Sequence, residues 1–155
     1  MQVHVWLPYP GNSGHTSLTV GAEYISFWPV GRGNFTKKDL KMQRSKTGLW
    51  VPELRHDIFR EGYRQPITVE LHGLNEQAVL DYLAGIKANK PRFQMMRNNC
   101  SHVVAAALEA GAGGKASFKP QAGRGLLGRA LGGGIWTPEQ VLKFAQELAA
   151  SSNPK

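Results

Sequence analysis

The chain has 155 residues, one cysteine and a formal net charge of +8. That length suits one domain, about residues 1–150, with a true hydrophobic core. A single cysteine excludes an internal disulfide framework and a cysteine-based structural zinc site.

From the N-terminus, Val3-His4-Val5-Trp6-Leu7 reads as a strand, stopped by Pro8, Pro10 and Gly11. Met1 to Pro10 lacks the basic start and apolar run of a cleavable secretory signal, and no stretch is apolar for long enough to cross a bilayer. Any export is therefore expected to use a route that reads no such signal. Asn12-Ser13-Gly14 is turn chemistry, and His15 to Val20 is a second strand rich in β-branched residues. Gly21-Ala22-Glu23 is a tight connection into Tyr24 to Trp28, so the two strands should form an antiparallel hairpin. This sets His15 at the start of one strand beside the end of its partner, near Ser26. Alternation puts Tyr24, Ser26 and Trp28 on one face and Ile25 and Phe27 on the other.

Residues 30–65 break any period with glycines, prolines and charges, and are expected to be a long basic insertion with short elements, a candidate lid. Leu49-Trp50-Val51 and Ile58-Phe59 are its apolar anchors. Arg32, Lys37, Lys38, Lys41, Arg44 and Lys46 crowd its first half, with Asp39 the one acid among them. The charge suits an anionic membrane surface, an acidic partner or a cell-wall polymer; a solvated loop face is the plainer reading. No nucleic-acid motif accompanies it, so nucleic acid is not an expected partner.

Pro66 to Leu71 alternates like a strand, and Asn75 then caps a helix through about Lys87, with Leu74 and Val79 spaced as a hydrophobic staple. After Pro91, Phe93 to Met96 lead to Arg97-Asn98-Asn99-Cys100-Ser101-His102-Val103-Val104. Val103, Val104, Ala107 and Leu108 recur at helical spacing behind the cysteine, and Gly111 is a natural stop. Residues 112–134 are glycine-rich and basic and are expected to be a flexible arm or weak helix, with Phe118 among its few anchors. Thr137-Pro138-Glu139-Gln140 starts a last helix with a capping box, and residues 151–155 should fray.

A thiol in the first turn of a helix feels the positive end of the macrodipole, which favours thiolate. Such a placement suits a nucleophile, while a small buried apolar residue is the alternative. A nucleophilic thiol needs a base and a group to orient it. Of the five histidines, His102 points away from the thiol, His4 is mid-strand, His72 ends a strand and His56 sits in the insertion. His15, at a strand start after a glycine turn, is best placed.

Gly14-His15 opening a strand, Gly21 six residues later, Tyr24 in the next strand and Asn99-Cys100-Ser101-His102-Val103 at a helix start resemble the circularly permuted NlpC/P60 superfamily, most nearly its lecithin:retinol acyltransferase-like branch. The resemblance covers residues 14–29 and about 98–111 well and 66–87 loosely. It implies an α+β, permuted papain-like fold, an antiparallel sheet packed against the cysteine helix and further helices. It also implies Cys100 as nucleophile and His15 as base. Related enzymes often carry a polar residue about a dozen positions after the histidine; here that position is Phe27. Ser26 is the nearest polar side chain, on the opposite strand face unless a bulge shifts it, and Glu23 or a backbone carbonyl are alternatives. The N–H of Cys100 and a neighbour would hold the oxyanion.

The implied activity is acyl transfer, as hydrolase or acyltransferase, on a lipid or protein acyl or amide bond, with no metal or organic cofactor required. Small members of this kind resemble toxins delivered by bacterial secretion systems to target cells and neutralised by an immunity protein. Two other readings stand beside it: a peptidoglycan amidase or endopeptidase, and a non-catalytic basic module that docks an anionic partner.

Overall fold

Alternating β-branched and aromatic residues in the first half of the chain build a sheet whose two faces have different fates. A computed structural model describes residues 1–31, 45–114, 118–120 and 134–152. Six strands, β1 (Gln2–Trp6), β2 (His15–Val20), β3 (Glu23–Pro29), β4 (Ser45–Val51), β5 (Ile67–Glu70) and β6 (Arg92–Gln94), form one sheet in the order β5-β1-β2-β3-β4-β6. Every pairing is antiparallel. Four helices accompany it among the described residues: α1 (Leu54–Arg60), α2 (Glu76–Ala88), α3 (Cys100–Ala112) and α4 (Pro138–Ser151). The architecture is α+β.

One sheet face carries Val3, Val5, Leu18, Val20, Ile25 and Phe27, each at most 2% exposed. These side chains meet Val79 and Leu83 of α2, Val103, Val104, Ala107 and Leu108 of α3, and Val141, Phe144 and Ala145 of α4. α3 lies against β2 and α2, and α4 against β1 and α3. Truncating a wholly buried leucine here, such as Leu108, costs about 2–5 kcal/mol. The three long helices start where their caps dictate. Asn75, Asn99 and Thr137 accept from the backbone N–H of Ala78, His102 and Gln140, each worth about 1 kcal/mol.

Within the expected insertion, residues 45–60 form two short elements, β4 and α1. β4 is an internal strand, paired with β3 on one side and β6 on the other. Its pattern is illegible because Gly48 interrupts it, and the fold requires that glycine. A Cβ there would stand 2.3 Å from the Phe27 ring and 2.5 Å from the Pro91 carbonyl oxygen. The apolar pair of α1, Leu54 and Ile58, is only partly buried and does not join the core. Phe59, expected as an anchor, is 64% exposed, and the helix residue that is buried is Asp57. The basic cluster from Arg32 to Arg44 lies outside the described residues, as does most of the glycine-rich 112–134 segment. Within that segment Phe118 does act as an anchor, with its ring 5.6 Å from Trp136 and 5.3 Å from Phe144.

Candidate active site

The register Ser17↔Ser26 decides the site, because paired residues share a face. His15, Ser17, Tyr24, Ser26 and Trp28 therefore stand together on the face away from the apolar core. Ser26 needs no bulge to reach the histidine, as the sequence had suggested it would. Its Oγ lies 2.9 Å from His15 Nε2. Trp28 stacks on the imidazole, with centroids 4.1 Å apart, and Trp6 covers another side at 5.7 Å.

Asp57 completes the arrangement from α1, and sequence reasoning missed it. Its Oδ2 is 3.1 Å from His15 Nε2, and the carboxylate is wholly buried. Trp28 Nε1–H donates to Oδ1 at 2.8 Å, and the Tyr24 hydroxyl donates to Oδ2 at 2.5 Å. Tyr24 has one proton to give and the charged acceptor takes it, so the Ser17 hydroxyl, 2.7 Å away, donates to the Tyr24 oxygen. Ser26 also hydrogen-bonds the carboxylate. Burial alone would raise the Asp57 pKa, but its hydrogen bond to His15, the imidazolium charge and the two hydroxyls together pull it below the ordinary carboxylate value. The sequence shows Asp57 only as an acid in a short segment between Pro52 and Gly62. It had no apolar periodicity to announce it.

With Nε2 committed to Asp57 and Ser26, Nδ1 is the ring nitrogen left for the thiol. His15 is the charge that most favours thiolate at Cys100, and the polar groups of Thr16 add to it. Burial disfavours charge on both partners. For His15 this is outweighed by the Cys100 charge, the Asp57 hydrogen bond and the Asp57 charge, which carry its pKa up to about 10. For Cys100 the imidazolium and the Thr16 polar groups outweigh burial, so the thiol pKa is lowered. The preferred state is thiolate facing imidazolium. Cys100 is the first residue of α3, where the unpaired N–H groups of the helix start add to the same field.

The other histidines do not join this pair. His102 Nδ1 donates to Asn99 Oδ1 at 3.0 Å, and burial drops its pKa to about 4, so it stays neutral and braces the helix start. His4 is buried between Thr68 and Thr19 at 3.1 and 2.9 Å, and burial lowers its pKa too. His56 and His72 are exposed. Glu23, the other alternative for the third group, is exposed at the far end of β3. Among the described residues no group of three His, Cys, Asp or Glu side chains is placed to hold a metal ion, and no helix is long and apolar enough to cross a membrane.

A cleft of about 410 Å³ opens onto the pair. Gly14, His15, Asn99, Cys100 and Ser101 form its reactive end, and Phe27, Trp28, Phe93, Met95, Met96, Ile135 and Trp136 supply most of its wall. The thiol is 9% exposed and the imidazole 1%, so the cleft is the way in. Asn99 ties floor to wall, since its Nδ2 donates to the carbonyls of Met95 and Trp136 at 2.7 and 3.1 Å.

No curated protein and no solved structure matches the chain. The model of one family, described as the IcsB middle domain, matches residues 53–153. That segment begins one residue before α1, so it takes in Asp57 and Cys100 and leaves His15 ahead of it. Since the match spans well over half of its residues, the chain belongs to the IcsB middle domain family.

Proposed function

We propose that this chain is a cysteine-nucleophile acyl-transfer enzyme acting on a lipid or protein acyl or amide bond, delivered as a bacterial effector. The observation that carries the reading is the buried Cys100–His15–Asp57 relay at the end of an apolar cleft. The thiolate attacks the substrate carbonyl, forming the carbon–sulfur bond and moving the carbonyl electron pair onto oxygen. N–H groups at the start of α3 stand ready for that oxyanion. Collapse breaks the bond to the leaving group, which takes the His15 proton. Water or another acceptor then gives its proton to the neutral imidazole, attacks the thioester and releases the thiolate. Asp57 holds the ring with Nδ1 toward sulfur and stabilises the imidazolium.

The cleft wall supports an apolar acyl group over a polar cell-wall peptide. Seven aromatic, methionine and isoleucine side chains line it, against few polar groups away from the thiol. Strands carrying the histidine precede the helix carrying the cysteine, which agrees with a permuted papain-like core. Membership in the IcsB middle domain family supports the effector assignment.

The test is the rate of Cys100 alkylation against pH, in wild type and His15→Ala. An apparent pKa well below that of a free thiol, lost in His15→Ala, is expected. An ordinary profile indifferent to His15 overturns the reading. For substrate class, fatty acid release from phospholipid vesicles is compared with new amine ends from purified sacculi. Release from sacculi alone overturns the acyl preference.

A further inference from the structure

A second buried carboxylate lies one turn beyond Asp57 and takes no part in the chemistry above. Glu61 caps the C-terminal end of α1, four residues on, so the two acids leave the same side of that turn. Its side chain is 0% exposed. Oε2 accepts from Asn12 Nδ2 at 3.3 Å, Arg64 Nη1 stands off at 3.9 Å, and Oε1 has no hydrogen-bond partner. Burial raises the pKa of this group, as expected of a carboxyl so poorly served. A buried acid left this incomplete costs stability, and its place in the fold indicates what it holds.

Asn12 supplies the connection. Its Oδ1 accepts the Gly14 N–H at 2.7 Å, and its backbone exchanges hydrogen bonds of 3.1 and 2.9 Å with Tyr9. Gly14 immediately precedes His15. The segment after α1 grips the same loop elsewhere. Arg64 Nη2 donates to the Leu7 carbonyl at 2.9 Å, its guanidinium lies 4.3 Å over the Tyr9 ring, and Trp6 Nε1 donates to the Arg64 carbonyl at 2.8 Å. α1 thus reaches His15 twice, directly through Asp57 and indirectly from Glu61 through Asn12 and Gly14.

We infer that Glu61 is a positioning residue for His15: by receiving Asn12 it fixes the turn from which the imidazole is presented to Cys100. The inference rests on the reading of Cys100 and His15 as an activated pair. It assigns no contact with substrate to Glu61.

The experiment is the pH profile of Cys100 alkylation by iodoacetamide in the full chain, for wild type, Glu61→Ala, Glu61→Gln, Asn12→Ala and the Glu61→Ala/Asn12→Ala double variant, with melting temperatures alongside. Glu61→Ala and Asn12→Ala are each expected to slow alkylation at neutral pH about tenfold, the scale of a modest misplacement of a reacting group. The double variant should be no slower than the slower single, because both cut one chain of contacts. Glu61→Gln keeps an oxygen for Asn12 and should stay within about twofold of wild type, a rescue expected when geometry, not charge, is what matters. Asn12→Ala at the wild-type rate, additive effects, or Glu61→Gln as slow as Glu61→Ala each overturn the inference. A lowered melting temperature with an unchanged profile does so too, since it marks a merely structural role. If Glu61→Ala fails to fold, Asn12→Ala and Glu61→Gln decide. A wild-type thiol with an ordinary profile overturns the activated pair itself, and only then does the inference fall for a reason unrelated to Glu61.

Discussion

Asp57 Oδ2 lies 3.1 Å from His15 Nε2 across 42 positions of sequence, and Asp57 is the one buried residue of its helix. α1 is therefore held to the sheet by a carboxylate that also serves the imidazole. Asp57→Asn keeps the shape and removes the charge. It should raise the apparent pKa of Cys100 alkylation by about one unit, which slows the reaction about tenfold at pH values below that pKa and little above it. Tyr24 and Trp28 lose a charged acceptor at the same time, so stability should fall by about 1–3 kcal/mol, or roughly 2–4 °C per kcal/mol for a chain of this size. An unchanged alkylation profile would show that Asp57 does not tune the pair.

The parts of this fold that read clearly in the sequence are those governed by local rules. β2 begins at His15, α3 begins at Cys100 behind the Asn99 cap, and α4 begins at Pro138 behind Thr137, each where turn and cap chemistry placed it. What stayed hidden depends on distant partners. Gly48 makes sense only against the Phe27 ring and the Pro91 carbonyl, so β4 had no visible period. Asp57 is anchored by polar groups of β2 and β3, whereas the apolar pair Leu54 and Ile58 of α1 stays outside the core. Turn chemistry places Ser26 in the right neighbourhood, but its face follows from the register Ser17↔Ser26, which strand alternation alone does not fix.

Trp28 offers a finer cut at the same network. Its ring stacks on His15 at 4.1 Å while its N–H supplies the bond to Asp57 Oδ1 at 2.8 Å. Trp28→Phe keeps much of the stack and deletes the donor. The buried carboxylate oxygen is then short of a partner, at a cost of about 1–3 kcal/mol. Alkylation should slow less than in Asp57→Asn, because the charge beside His15 persists. Thermal denaturation and the alkylation rate of the two variants, compared side by side, check both the size and the order of the effects.

The charged pair also shapes stability against pH. His15, raised from 6.5 to about 10, contributes stability that is full below 6.5 and is lost as pH rises through about 10. Cys100, lowered from 9.0, contributes stability that is full above 9.0 and is lost as pH falls through its depressed value. Between 6.5 and 9.0 the two slopes cancel: the unfolded chain keeps its proton on sulfur and the folded chain keeps one on the imidazole. The difference in melting temperature between wild type and a His15→Ala/Cys100→Ala variant should therefore form a plateau over that window. It should narrow above pH 9 and again in acid. A difference that changes steadily across that window would mean that the folded pair takes up or releases a proton within it, and would overturn the shifts that hold one proton between thiol and imidazole.

Gly14 sets the backbone from which all of this hangs. Its φ is +75°, and a Cβ there would stand 2.3 Å from the Trp6 carbonyl oxygen and 3.0 Å from the Pro8 nitrogen. Both obstacles are backbone, so neither yields as a side chain would. Gly11, three residues earlier in the same loop, has φ +85° but nothing within 4 Å of the added carbon. The pair separates conformational strain from collision. Gly11→Ala should cost only the left-handed strain, about 1–2 kcal/mol, and leave Cys100 alkylation at the wild-type rate. Gly14→Ala carries the same strain plus the clash, and must shift either the Trp6–Pro8 backbone or His15 itself. It should lower the melting temperature further and slow alkylation at neutral pH about a hundredfold, the penalty for moving a catalytic group by about 1 Å. Equal alkylation rates in the two variants would show that the turn before His15 does not fix the imidazole.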